Sequence, residues 1–145
     1  MVYKKTKFTI KTKSAPTLLT HKINGACIEV HKALGAGLLE NVYHKRLKHE
    51  LSLRNIHFES QFQIPVYYKN QQIQTDLRCD LLIEGSTVLE LKAVEKILPI
   101  QETQLLAYMK LLEAPKGMLI NFNVANRYYN GQKTYVNEFF RKLAA

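Results

Sequence analysis

The chain has 145 residues, room for one domain with its own core and not for two. Hydrophobic content of 46% and a mean hydropathy of −0.21 are those of a globular protein, and no apolar run approaches the roughly 20 residues of a membrane span. With 21 Lys and Arg against 12 Asp and Glu, the net charge of +9 favours a polyanionic partner, nucleic acid before others.

In chain order, residues 1–16 carry Lys4, Lys5, Lys7, Lys11 and Lys13 and read as a basic mobile arm ahead of a single domain over 17–145. They lack the apolar centre of a secretory signal, so a cytoplasmic protein is expected. Leu19, Ile23, Ala26, Cys27, Val30 and Leu34 recur at helical spacing, with Thr20 as cap and Gly35 and Gly37 as stop. Leu39, Val42, Tyr43, Leu47 and Leu51 predict a second helix ending near Asn55. Phe58, Phe62, Ile64, Val66 and Tyr68 alternate as one long strand, and Lys69-Asn70-Gln71 is a turn.

Residues 72–83 alternate again, with Ile73, Thr75, Leu77, Cys79, Leu81 and Ile83 on one side and Gln74, Asp76, Arg78 and Asp80 on the other. Glu84-Gly85-Ser86 turns the chain into residues 87–93, where Leu89, Leu91 and Ala93 oppose Val88, Glu90 and Lys92. A third helix follows Pro99 through Leu105, Leu106, Met109 and Leu112, residues 117–122 form a fully apolar strand, and residues 128–140 a last strand and short helix. Helices are expected on the apolar face of these strands, with the polar face of the 72–93 hairpin lining a cleft. Cys27 and Cys79 lie in apolar stripes without zinc-site spacing and are expected as reduced core thiols, and His31, a lone helical histidine, as structural.

The hairpin carries the chemistry. If it closes about Gly85, Asp80 lies opposite Glu90 and Arg78 opposite Lys92, with facing Cβ atoms about 4.5–5.5 Å apart. Two carboxylates in one small site repel each other unless one is protonated or a cation lies between them, and hard oxygen ligands of this kind suit Mg²⁺ or Mn²⁺. Lys92 points to the same face as Glu90, within reach of an attacking water or a phosphate oxygen. The alternative is that both acids are solvated strand residues paired with Arg78 and Lys92. Glu40 and Tyr43, three apart on the second helix, and Gln104 and Tyr108, four apart on the third, present further polar groups toward the same cleft. Each pair is on its own an ordinary surface polar residue beside a packed tyrosine.

These residues resemble the GxxExxY proteins of the PD-(D/E)xK, restriction-endonuclease-like nuclease superfamily. Gly37-Leu38-Leu39-Glu40-Asn41-Val42-Tyr43 is the naming motif, residues 29–35 resemble its lead-in, Asp80, Glu90 and Lys92 match the nuclease signature, and Gln104 to Tyr108 is similar to the helix motif that follows it. Residues 117–123 resemble the family's terminal strand, and Cys79 stands where many members have proline. The resemblance implies an α/β sandwich with a mixed sheet of four to five strands and helices on both sides. It implies a Mg²⁺- or Mn²⁺-dependent nuclease in which Asp80, Glu90, the Leu91 carbonyl and Glu40 hold the metal. Lys92 would position or deprotonate the water, and Gln104 and Tyr108 would orient Lys92 and contact a phosphate, with Arg78, Lys92 and Tyr108 as nucleic-acid contacts.

The expected partner is nucleic acid, DNA before RNA, with no membrane, and pairing of two copies as a homodimer stays open. The rival readings are a non-catalytic nucleic-acid-binding or protein-interaction module on the same fold, and a self-associating scaffold using Tyr67, Tyr128 and Tyr129.

Overall fold

Apolar residues three and four apart become the first helix, α1, Ser14–Leu34, in the computed structural model, which describes residues 12–125 and 131–145. The helix buries Leu19, Ile23, Ala26, Cys27 and Val30, as the spacing predicts. It begins earlier than expected: Ser14, Ala15 and Pro16, assigned to the arm by composition, form its first turn, and the Lys13 N–H donates to the Ala144 carbonyl at 2.8 Å. Thr20 is therefore not a cap. Its hydroxyl donates to the Pro16 carbonyl at 2.8 Å and accepts from Lys116 Nζ at 3.1 Å, giving a polar partner to an ammonium whose pKa burial lowers. Gly35 (φ 71°) and Gly37 (φ 95°) do stop the helix, in backbone that favours glycine. The second helix, α2, Glu40–Leu53, ends before Asn55 at φ 57°.

The strands are β1 Phe58–Gln63, β2 Val66–Tyr68, β3 Gln71–Ile73, β4 Arg78–Ile83, β5 Thr87–Lys92, β6 Lys116–Asn121 and β7 Gln132–Val136, with α3, Pro99–Leu112, before β6 and a short α4, Glu138–Arg141, at the end. Among the described residues β1-β4-β5-β6-β7 form one five-stranded mixed sheet, antiparallel except for the parallel pair β5–β6. A parallel pair needs a crossover, and α3 is that crossover. Asn137 caps α4, its side chain accepting from the Phe139 and Phe140 N–H groups. Tyr128 and Tyr129 lie outside the described residues.

Two expected long strands are each broken. Residues 58–68 divide at Ile64-Pro65, where proline has no N–H to continue a ladder and the Ile64 N–H turns instead to the Leu77 carbonyl at 2.8 Å. Residues 72–83 divide at 74–77, where Gln63 Nε2 donates to the Thr75 carbonyl and the Leu77 N–H to Thr75 Oγ1, each at 3.2 Å. The severed ends, β2 and β3, make a separate hairpin whose turn residues Lys69 and Asn70 both have positive φ, 50° and 65°. Period-two alternation runs through all of these residues, but it carries no information about which segment pairs with which.

The sheet is also covered on both faces, as the resemblance implies, so α3 covers much of the face that alternation alone leaves polar. Leu81, Ile83, Leu89, Leu91, Met118 and Ile120 pack under α1 and α2, while Leu82, Val88 and Leu119 pack under Leu105, Met109 and Leu112 of α3. Cys27 and Cys79 are both buried. No helix among the described residues is long and apolar enough to cross a membrane.

Gly117 marks the closest approach of α3 to the sheet. A Cβ there would collide with Met109 Sδ and come within 3.0 Å of Leu105 Cδ1, both in filled core. Gly117→Val is expected to destabilise the fold by about 1–3 kcal/mol, the usual cost of overpacking, read as a lower urea midpoint at unchanged m-value.

Candidate active site

The β4–β5 ladder has the register read from the sequence, Leu81↔Leu89, Leu82↔Val88 and Ile83↔Thr87. Its turn bends through Glu84 (φ 50°) and Gly85 (φ 64°), and the Ser86 N–H closes on the Ile83 carbonyl at 3.1 Å. The next pair in that register is Asp80 and Glu90, and here the regular ladder stops. Each carboxylate instead takes the other strand's backbone: Glu90 Oε2 accepts from the Asp80 N–H at 2.7 Å, and Asp80 Oδ2 accepts from the Leu91 N–H at 2.8 Å. These side-chain-to-backbone bonds replace the missing backbone pair and hold both side chains in one geometry. The expected pairing of Arg78 with Lys92 does not form, because the strands have parted before reaching it. Arg78 lies exposed across from Gln63 at the start of β4.

Asp80 is irregular on its other side as well. The β1–β4 register pairs Ser60 with Leu81 and Phe62 with Cys79 but skips Gln61, whose φ is 51°. Cys79 consequently packs with Leu82 on the α3 side, while Leu81 packs with Ile83 on the α1–α2 side. Strict alternation would put Cys79, Leu81 and Ile83 on one face, so the break at Asp80 corrects that expectation.

Burial decides the electrostatics. Glu90 is 5% exposed, and burial first, then Asp80, push its carboxyl up to about 8 against the opposing pull of its bond from the Asp80 N–H and of Lys92, with Glu40 adding to the rise. The Cys79 thiol is pushed up to about 12 by burial and then by Glu90 and Asp80, so it is an uncharged wall of the site. Tyr108, buried on α3, has its phenol raised by burial, then by Glu90, which places its hydroxyl in the field of the same acids. Lys92, half-buried at the end of β5, lowers both Glu40 and Glu90 through space, while no direct ion pair joins it to either among the described residues.

Glu40 is the first residue of α2, and its carboxyl is raised by the protein around it and by Asp80, against Lys92. The structure thus brings Glu40, Asp80, Glu90, Lys92 and Tyr108 into one field. Gln104 stands apart: it is exposed one turn before Tyr108, and among the described residues no hydrogen bond joins it to Lys92.

His44 joins the group without having been expected. It lies one turn after Glu40 on α2, pairs through Nε2 with Ser60 Oγ at 3.2 Å, and has its pKa lowered by burial and Lys48 while Asp80 raises it. The sequence signal is its spacing of four from Glu40, which puts the two on one helix face.

The donor set suits a hard cation. Among the described residues no three His, Cys, Asp or Glu side chains converge as a closed metal cluster. Asp80 and Glu90 together, one oxygen of each engaged by backbone and the other not, match the one or two carboxylates plus waters by which Mg²⁺ is usually held. A buried acid raised by its neighbouring acid is also the condition that a divalent cation relieves.

No curated protein and no solved structure is significantly similar to the chain. The family model of the PD-(D/E)XK nuclease superfamily matches residues 17–133, a span that contains the whole α1–β6 unit except the first turn of α1. With a mixed sheet flanked by helices and an Asp, a Glu and a Lys at the parting of its central hairpin, the chain belongs to the PD-(D/E)XK nuclease superfamily.

Proposed function

We propose that the protein is a metal-dependent nuclease that hydrolyses phosphodiester bonds of nucleic acid at the Asp80–Glu90–Lys92 site. The observation that carries this reading is the mutual hook of Asp80 and Glu90 on each other's strands, which fixes two acids side by side at the end of a buried hairpin. A purely structural role for a buried acid, Glu90, set beside the half-buried Asp80 would cost stability without return, because apolar residues would close the sheet better.

Asp80, Glu90, the Leu91 carbonyl and Glu40 would hold a Mg²⁺ or Mn²⁺ ion, which when bound supplies charge stabilisation to the scissile phosphate and acidifies a water. Lys92, on the same strand face as Glu90, would orient the attacking water as a cation, or take up the water's proton once it has given its own to solvent. Tyr108, Gln104 and the exposed Arg78 supply hydroxyl, amide and guanidinium donors to phosphate oxygens. The +9 net charge draws the polyanion in.

The test is cleavage of single- and double-stranded DNA and RNA with Mg²⁺ or Mn²⁺, with binding followed in parallel at rising salt. Metal-dependent cleavage is expected on at least one substrate, DNA before RNA, with affinity falling at least about tenfold between roughly 50 and 200 mM salt. Intact, salt-sensitive binding with no cleavage under either metal would instead select the binding-module reading.

A further inference from the structure

Tyr43 has no part in the chemistry above, yet its side chain is anchored at both ring and hydroxyl. It is fully buried, and its ring stacks on Phe122 with centroids 4.5 Å apart and planes 5° from parallel. Its hydroxyl donates to the Gly35 carbonyl at 2.6 Å and accepts from the Leu38 N–H at 3.2 Å. Those two bonds span the connection between α1 and α2, a stretch whose Gly35 and Gly37 both have positive φ. At its ends the Gly35 N–H bonds the His31 carbonyl at 2.7 Å and the Val42 N–H the Leu39 carbonyl at 3.0 Å, but α2 starts without a side-chain cap on Leu39, and Leu39 is 76% exposed. Glu40, the next residue, takes its place from this loop. On the other side of the stack, the Phe122 N–H donates to the Lys92 carbonyl at 2.9 Å, so one buried column runs from the loop before Glu40 to the strand end that carries Lys92.

We infer that Tyr43 is a positioning residue, whose hydroxyl ties down the 35–39 loop and so holds Glu40 against Asp80 and Lys92. The inference rests on the nuclease reading for its catalytic consequence. An uncapped helix start after two glycines has many conformations, and two hydrogen bonds to one rigid phenol select among them. Displacement of a positioned group by about 1 Å is enough to cost about a hundredfold in rate.

Tyr43→Phe keeps the ring, its volume and the stack, and removes only the two bonds. The expected result is a fall in kcat of about tenfold to a hundredfold with little change in KM, while the same substitution in a Glu40→Gln background changes kcat less than about twofold. An equal fractional loss of kcat in both backgrounds, or none in either, would overturn the inference and leave Tyr43 as packing alone. If the wild type cleaves nothing, the nuclease reading fails separately, and amide hydrogen exchange still decides the positioning: faster exchange at Leu38 and Val42 in Tyr43→Phe upholds it, unchanged exchange overturns it.

Discussion

Glu90→Gln is expected to abolish cleavage and at the same time to make the metal-free protein harder to unfold at alkaline pH. The amide keeps an oxygen to accept the Asp80 N–H at the present 2.7 Å, so the backbone hook survives, but the charge that would hold a cation is gone. If metal ligation supplies about 4 kcal/mol of charge stabilisation at the transition state, its loss is on the order of a thousandfold in rate. The stability gain follows from the raised acid. Glu90 sits at about 8 in the folded state against 4.5 as its ordinary value, so between these pH values the unfolded chain releases a proton that the folded chain keeps. Stability from this group is therefore fully present below about 4.5 and is lost as pH rises through about 8, with a total on the order of a few kcal/mol.

Glutamine does not titrate. Urea unfolding in chelator should show the variant gaining on the wild type steadily from pH 5 to pH 8.5, with no gain at pH 4.5. Saturating Mn²⁺ should narrow or reverse the difference at pH 8, since a ligand that binds only the folded wild type stabilises it by mass action. A flat difference across this pH range would mean that Glu90 titrates normally and that the two acids do not share a site.

Lys92→Met is the second large effect, and its signature is different. Methionine keeps the length and apolar stem of the side chain while removing a cation that lowers both Glu40 and Glu90. Removal of a positioned proton-transfer group costs about 10²–10⁴-fold in rate, so kcat is expected to fall by that amount while nucleic-acid affinity at low salt changes by less than about threefold. Without Lys92 both acids rise further, and the metal-free variant should lose stability with rising pH more steeply than the wild type. If instead cleavage persists and binding weakens, Lys92 is a phosphate contact only, and the water must be oriented by another group, for which His44, in the field of Asp80, is a candidate.

Several of these features are legible in the residues alone. The helix stripes Leu19 to Leu34 and Leu39 to Leu51, the glycines that end α1, the turn at Gly85 and the opposition of Asp80 and Glu90 are all local: each depends on spacing along one segment or across one short turn. Glu40 and Tyr108 are legible only through the resemblance to known nucleases, because a glutamate at a helix start and a tyrosine on an apolar helix face are ordinary by themselves. His44 is missed for the same reason, since its neighbour Ser60 lies on another element.

Local pattern determined which segments are helical, which strands form the central hairpin, and that two acids and a lysine gather at its open end. Tertiary structure decided what no periodicity encodes. Pro65 and the Thr75 turn sever two apparently continuous strands, because ladder bonds depend on partners distant in sequence. The crossover α3 covers the face that alternation leaves polar, and so turns Glu90 from a surface carboxylate into a buried one. At Asp80 the ladder parts, and the buried Glu90 and half-buried Asp80 each accept a backbone N–H of the opposite strand, a pairing that periodicity does not encode.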